Sequence, residues 1–178
     1  MYQPREDSYL LSHEITIFLK KNKNLNLKIL DLGTGSCIQA LTCKKLGFNN
    51  LLCADINPEA TNQARRLGFK SIKSNLFSKI QDKFDLILFN PPYLPQDKYD
   101  KQKDTTGGKL GDETIIKFLS QAKSHLTKEG KILLLVSSLT PQEKILKLLD
   151  KLNLKKKVLS KQNLFFEELE IWLIWAWN

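Results

Sequence analysis

The residues with chemical potential in this 178-residue chain sit at the ends of short apolar runs. Asn90-Pro91-Pro92-Tyr93 follows FDLILF, Phe84 to Phe89, the strongest apolar run in the sequence. Proline has no N–H to give a sheet ladder, so a strand there must stop at Asn90. A planar NH2 group with a delocalised lone pair is a poor nucleophile until both N–H bonds are held and the lone pair is turned toward an electrophile. The Asn90 side-chain carbonyl and the Pro91 backbone carbonyl can each accept one N–H, proline stiffens the second acceptor, and Tyr93 can stack on the flat group. Holding both protons also shifts electron density onto nitrogen as positive charge develops, so no general base is needed before attack. Read only as a stiff turn, the two prolines leave the flanking Asn and Tyr without a role.

Three further polar signals lie upstream. In Asp31-Leu-Gly-Thr-Gly-Ser, Gly33 and Gly35 let the backbone pass close to a ligand ahead of a helix. A dinucleotide loop of the G-x-G-x-x-G type would place a third glycine at 38, where this chain has Ile38. An acidic residue just ahead of the first glycine suits S-adenosylmethionine, which presents an ammonium group instead of a pyrophosphate. A purely structural strand-to-helix turn is the other reading. Asp55 ends the run LLCAD, 20 residues beyond Gly35, where a carboxylate accepts both hydroxyls of a ribose. Its alternative role, capping the helix that follows, can be taken by Asn57. In Ser74-Asn75-Leu76-Phe77 the Asn75 amide oxygen can accept from an adenine amino group, while Leu76 offers a backbone N–H and an apolar wall. By itself SNLF reads equally well as a turn.

The elements that must position these residues follow from periodicity. Asp7 to about Lys21 has apolar residues at helical spacing, with Asp7 or Ser8 as cap. LKILDLG reads as a strand and TGSCIQALTCKKLG as a helix closed by Gly47. LLCAD is a strand, NPEATNQARRLG a helix capped by Asn57 with Pro58 at its first position, and FKSIKSN and FDLILFN are strands. Asp97 to Lys109 is polar and glycine-containing, a loop. A helix is expected from about Asp112 to His125, a turn at Glu129-Gly130, a strand over KILLLVSS, and a helix over TPQEKILKLLDKL capped by Thr140. KKKVLSKQ and ELEIWLIWAW form two closing strands joined through Asn163 to Glu167. Strands alternating with helices imply an α/β fold with a parallel sheet covered by helices on both faces. Ligands of such sheets bind at the carboxyl ends of the strands, where all four polar signals fall.

Hydrophobic content of 42% and charge of 26% suit one soluble domain over residues 1–178. No apolar run is long enough to span a bilayer, and the polar start is no signal peptide, so a cytoplasmic protein is expected. The formal net charge of +9 comes almost wholly from dispersed lysines, with Arg5, Arg65 and Arg66 the only arginines. That distribution does not favour nucleic-acid recognition, although an RNA-rich partner complex such as the translation machinery remains compatible. Cys37, Cys43 and Cys53 contain no CxxC pair and read as buried apolar residues, so neither a disulfide nor a metal site is expected.

Taken together, DLGTGS, ADINPEA, SNLF, FDLILFNPPYLP and the GGKLG loop resemble class I S-adenosylmethionine-dependent methyltransferases, and more narrowly the HemK-like protein-glutamine N5-methyltransferases. The start Tyr2-Gln-Pro-Arg-Glu-Asp-Ser resembles their archaeal and eukaryotic branch, associated with the glutamine of the GGQ motif in class I translation release factors. The resemblance implies a Rossmann-like seven-stranded sheet in the order 3-2-1-4-5-7-6 with the last strand antiparallel. It also implies cofactor contacts from Ser8, Asp31, Gly33, Gly35, Asp55, Asn75, Leu76 and Asn90, with Asn90, Pro91, Pro92 and Tyr93 holding the substrate amide. Asn90, Pro91 and Tyr93 are the catalytic candidates. Two positions depart from the family: Cys37 stands where a third glycine is usual, and Asn75 where Asp is usual. Members of the branch work with a small zinc-ribbon activator protein that adds a strand beside the third strand, here near Phe69 to Asn75. Other readings are methylation of an exocyclic amine of adenine or guanine in DNA or RNA, methylation of another side chain such as lysine, and a non-catalytic binding subunit. A base reader usually carries an added recognition domain or an arginine-rich channel, and this chain has neither.

Overall fold

In a computed structural model of the chain, residues 3–93, 108 and 111–177 are described. Tyr2, Leu94, Pro95 and nearly all of the expected 97–109 loop lie outside them. The order of elements is α1 (Glu6–Lys20), β1 (Ile29–Leu32), α2 (Ile38–Lys45), β2 (Leu51–Asp55), α3 (Pro58–Arg66), β3 (Lys70–Lys73), β4 (Phe84–Phe89), α4 (Glu113–Ala122), β5 (Leu126–Ser137), α5 (Gln142–Lys151), β6 (Leu154–Asn163) and β7 (Glu168–Ala176).

The strands form one sheet in the order β3-β2-β1-β4-β5-β7-β6, as the resemblance implied. β3, β2, β1, β4 and β5 run parallel, and β7 inserts antiparallel between β5 and β6. The central strands are apolar without a break because both faces are covered. Along β5, Ile132, Leu134 and Val136 pack on one face while Leu133 and Leu135 pack on the other, the two-residue period of a pleated strand. The first face is roofed by Ile115, Phe118 and Leu119 of α4 with Ile145 and Leu149 of α5. The second is roofed by Leu11, Ile15 and Leu19 of α1, Ala40 and Cys43 of α2, and Ala64 of α3. Each buried Leu, Ile or Phe side chain among these contributes about 1.5–3 kcal/mol, which makes the sheet a stiff platform for the loops at its edge. Among the described residues no helix is long and apolar enough to cross a membrane.

Four local expectations are corrected. The N-cap of α1 is Arg5, whose side chain makes no capping bond; Asp7 and Ser8 lie inside the first turn and are buried. The N-cap of α5 is Pro141, and the Thr140 hydroxyl instead donates to the Tyr93 carbonyl at 3.2 Å. Glu129-Gly130 is not a turn between elements but part of a bulge within β5. The β4–β5 register runs from Phe84↔Leu126 to Leu86↔Lys131, so β5 carries extra residues between these two pairings. Gly130 permits this, since a Cβ there would lie 2.7 Å from the Phe84 carbonyl oxygen. The helix expected over 112–125 ends as α-helix at Ala122 and tightens into a 3-10 turn over Lys123–His125.

Candidate active site

A cavity of about 490 Å³ opens at the carboxyl ends of β1, β2, β3 and β4. Ser8, Asp31, Gly33, Gly35, Asp55, Asn75, Leu76, Asn90, Pro91, Pro92 and Tyr93 all line it, so the fold brings every sequence-derived site residue to one place.

The floor is the turn from β1 into α2. Asp31 is buried, and one of its oxygens accepts from the Thr34 hydroxyl at 2.6 Å and from the Ala40 N–H at 3.2 Å. Burial raises its pKa from the ordinary 3.8 to about 7, against the lowering effect of those two bonds and with a further small rise from the Asp55 charge. A cation beside this carboxyl would favour its ionised form and bring the pKa back down. Gly33 has φ +65°, and a Cβ on it would press to 3.3 Å on the Phe89 ring. Cys37, at φ 67° and ψ 16°, occupies the left-handed conformation for which glycine is the usual choice, and it opens α2. The departure from the family pattern therefore sits at a backbone position where the missing glycine had a physical use. Asp55 accepts from the Gly35 N–H at 2.9 Å and from the Asn57 N–H at 2.8 Å, bracing the glycine turn while it faces the cavity. Asn57 caps α3 through the Glu59 N–H at 2.9 Å, as expected from sequence.

Asn75 and Leu76 form one wall. Leu76 has φ 49°, and buried Ser74 secures the strained turn by donating to the Leu76 carbonyl at 2.7 Å and accepting from the Lys79 N–H at 3.1 Å. Sequence reading assigned Ser74 no role. Its place two residues ahead of a forced turn was the available signal.

The opposite wall is the corner after β4. The Asn90 Nδ2 donates to Asp7 Oδ2 at 3.0 Å. Asp7 cannot donate, so it fixes which end of the amide points toward α1. Asn90 Oδ1 is consequently turned away; it is buried and has no hydrogen-bond partner among the described residues. Asp7 is itself held in place, its other oxygen accepting from the Ser8 N–H at 2.6 Å and the Ser8 hydroxyl at 3.2 Å. Gln39 ties this turn to α2, donating to the Ser8 carbonyl at 3.0 Å and accepting from the Ser12 hydroxyl at 2.8 Å. On the far side, Thr140 anchors the Tyr93 backbone. The site roles of Asp7 and Thr140, read from sequence only as helix caps, and of Gln39 are not legible in the sequence because their partners are distant along the chain. Among the described residues no group of three or more His, Cys, Asp or Glu side chains is placed to hold a metal ion.

A buried acidic group beside a glycine turn and a second carboxylate one strand over fit a cofactor with an ammonium and a ribose, the Asn75–Leu76 wall fits its base, and the amide oxygen at the proline corner, without a partner among the described residues, fits an acceptor N–H. On this sheet order they define a class I S-adenosylmethionine-dependent methyltransferase. The chain belongs to the methyltransferase small domain family, which matches residues 15–165. It is 33% identical over 187 residues to a protein of Methanocaldococcus jannaschii named as a protein N5-glutamine methyltransferase, covering 98% of this chain and 91% of that one. A release factor glutamine methyltransferase of Lactococcus lactis is 32% identical over 137 residues, 67% of this chain and 51% of that one. The solved Mtq2–Trm112 complex of E. cuniculi, described as responsible for methylating the eRF1 translation termination factor, is similar at 25% identity and a TM-score of 0.78, with 98% of both chains covered.

Proposed function

We propose that this chain methylates the side-chain amide nitrogen of the glutamine in the GGQ motif of a class I translation release factor, using S-adenosylmethionine. The single observation carrying the reading is the buried Asn90 Oδ1, without a hydrogen-bond partner among the described residues, in the lining of a cofactor-sized cavity. An unsatisfied buried acceptor is costly, and an amide N–H of the substrate satisfies it. The relatives named for glutamine and release-factor methylation support the choice of substrate.

When bound, the cofactor supplies an electrophilic methyl on a sulfonium. Asp31 pairs with the ammonium, Asp55 accepts from the ribose hydroxyls, and Asn75 with Leu76 receives the adenine. Ser8, Gly33 and Gly35 let the methionine moiety approach the backbone. Asn90 Oδ1 and the Pro91 carbonyl each hold one N–H of the substrate amide, so its lone pair faces the methyl. Pro92 and Tyr93 flank the amide plane. Once the nitrogen becomes positive, it sheds a proton to water without a dedicated base.

We place residues 1–178 together as one catalytic domain working in the cytoplasm, where translation terminates. A small zinc-ribbon activator protein pairs with β3. Among the described residues that strand bonds to β2 on one side only, and added pairing at such an edge is a common mode of recognition. The test offers purified chain, with and without the activator, labelled cofactor and either release factor or oligonucleotides. Label is expected in the release factor and absent once the acceptor glutamine is replaced by alanine. Label in nucleic acid alone would reverse the substrate assignment.

A further inference from the structure

Phe165 and Phe166, at the tip of the β6–β7 hairpin, are 91% and 84% exposed, the most exposed large apolar side chains among the described residues. Their rings meet edge to face with centroids 4.5 Å apart. Two adjacent exposed phenylalanines are costly to leave in water, and nothing in the cofactor chemistry uses them.

Their location is informative. The residues on either side of the pair, Leu164 and Glu167, both line the cavity. The tip is a closed turn, with the Leu164 N–H donating to the Glu167 carbonyl at 2.7 Å. It is fastened to the end of β5: the Ser137 hydroxyl donates to Glu167 at 2.5 Å, the Ser138 N–H to the Glu168 carbonyl at 2.8 Å, and the Glu168 N–H to the Ser138 hydroxyl at 2.9 Å. Two residues further, Thr140 holds the Tyr93 carbonyl. One short segment, Ser137 to Thr140, therefore joins the aromatic tip to the corner that grips the acceptor. Exposed Leu139 lies within it.

The geometry points to a docking surface: the Phe165–Phe166 tip binds apolar side chains of the protein substrate next to its acceptor loop and sets that loop over Asn90. The inference rests on the proposed protein-glutamine reading and specifies how that substrate is recognised. Aromatic side chains also stack on bases, but the charges here oppose a polyanion. Glu167 and Glu168 border the tip, and Lys161, the last lysine before it, is engaged by Glu168 at 2.8 Å and Glu170 at 2.5 Å. A polypeptide with apolar residues fits; a phosphate backbone does not. The tip also lies across the sheet from β3, since β6 forms the opposite edge, so an activator on β3 leaves it open to substrate.

The experiment compares wild type with Phe165→Ser/Phe166→Ser and with Phe165→Leu/Phe166→Leu, using the full chain with its activator. The substrates are folded release factor, a short peptide containing the acceptor glutamine, and an RNA oligonucleotide. For release factor the serine variant is expected to raise KM by roughly tenfold with kcat within about twofold, as truncation of central aromatic anchors does. The leucine variant is expected to recover most of that loss. Cofactor affinity and kcat/KM on the short peptide are expected to match wild type. An unchanged KM for release factor in the serine variant overturns the docking role while leaving the activity assignment intact. So does an equal loss on peptide and release factor, which would make the tip part of the cavity wall. Methylation of RNA that falls with the serine variant would assign the tip to nucleic acid and overturn the proposal. If wild type fails to methylate release factor at all, the protein-glutamine reading falls, and this surface with it.

Discussion

Asp31 makes the energetic cost of the proposed cofactor site measurable before any cofactor is added. Its carboxyl is shifted by burial from 3.8 to about 7, the sense in which the folded state binds the proton more tightly than the unfolded state. Stability from this group is therefore fully present below about pH 4 and is lost as the pH rises to 7. The displacement corresponds to about 4 kcal/mol between those limits, a large fraction of the stability of an ordinary domain. Asp31→Asn keeps an oxygen for the Thr34 hydroxyl and the Ala40 N–H and removes the ionisation. Denaturant unfolding of the ligand-free protein between pH 4 and 8 should show wild type losing stability with rising pH and the variant nearly flat, with the variant the more stable at pH 8. Cofactor binding has the opposite dependence, because an ammonium requires the ionised carboxylate. Calorimetric Kd for S-adenosylmethionine should fall about tenfold per pH unit up to about 7 and then level off. In the variant it should be pH-independent and weaker by roughly 10- to 100-fold, the worth of a charge-assisted hydrogen bond. Equal pH profiles for the two proteins, in stability and in binding, would remove Asp31 from the site as an energetic element.

Two further outcomes test the corner and the glycine turn. Asn90→Ala should leave cofactor affinity within about threefold of wild type and lower kcat by roughly 10²–10³, the cost of deleting one positioned polar contact at a reacting group; steady-state kinetics beside calorimetry separates the two, and unchanged turnover would remove Asn90 from the proposed catalytic role. Gly33→Ala places a Cβ at φ +65° and 3.3 Å from the Phe89 ring, so thermal unfolding should show a loss of about 1–2 kcal/mol with a matching fall in cofactor affinity.

The sheet was legible because its signals are local. β4 and β5 are long apolar runs, Asn57-Pro58 marks the start of α3, and Asn90-Pro91 ends β4. Strand order was not local; it came from the resemblance, and the register confirms it. The β5 bulge was missed because Glu129-Gly130 obeys turn chemistry, while the need for Gly130 arises from Phe84, a residue on another strand. Asp31, Asp55, Asn75 and Asn90 were legible as a set because each lies at or just beyond the carboxyl end of a strand, and the topology gathers strand ends.

The misread side chains share one cause. Asp7, Ser8 and Thr140 were assigned to helix caps by their nearness to helix starts, yet in the fold Asp7 is committed to Asn90, Ser8 to Asp7 and Thr140 to Tyr93. A helix start at the surface can have its N–H groups satisfied by water, so a cap there contributes only about 1 kcal/mol. A buried amide such as Asn90 has no such substitute, and leaving its Nδ2 unpaired costs about 1–3 kcal/mol. The stronger demand captures the side chain. Where a capping residue near a proline-stopped strand is buried instead of capping, its partner across the fold marks the group being positioned. In this chain two of the three captured polar residues, Asp7 from one side and Thr140 from the other, converge on the four residues Asn90 to Tyr93.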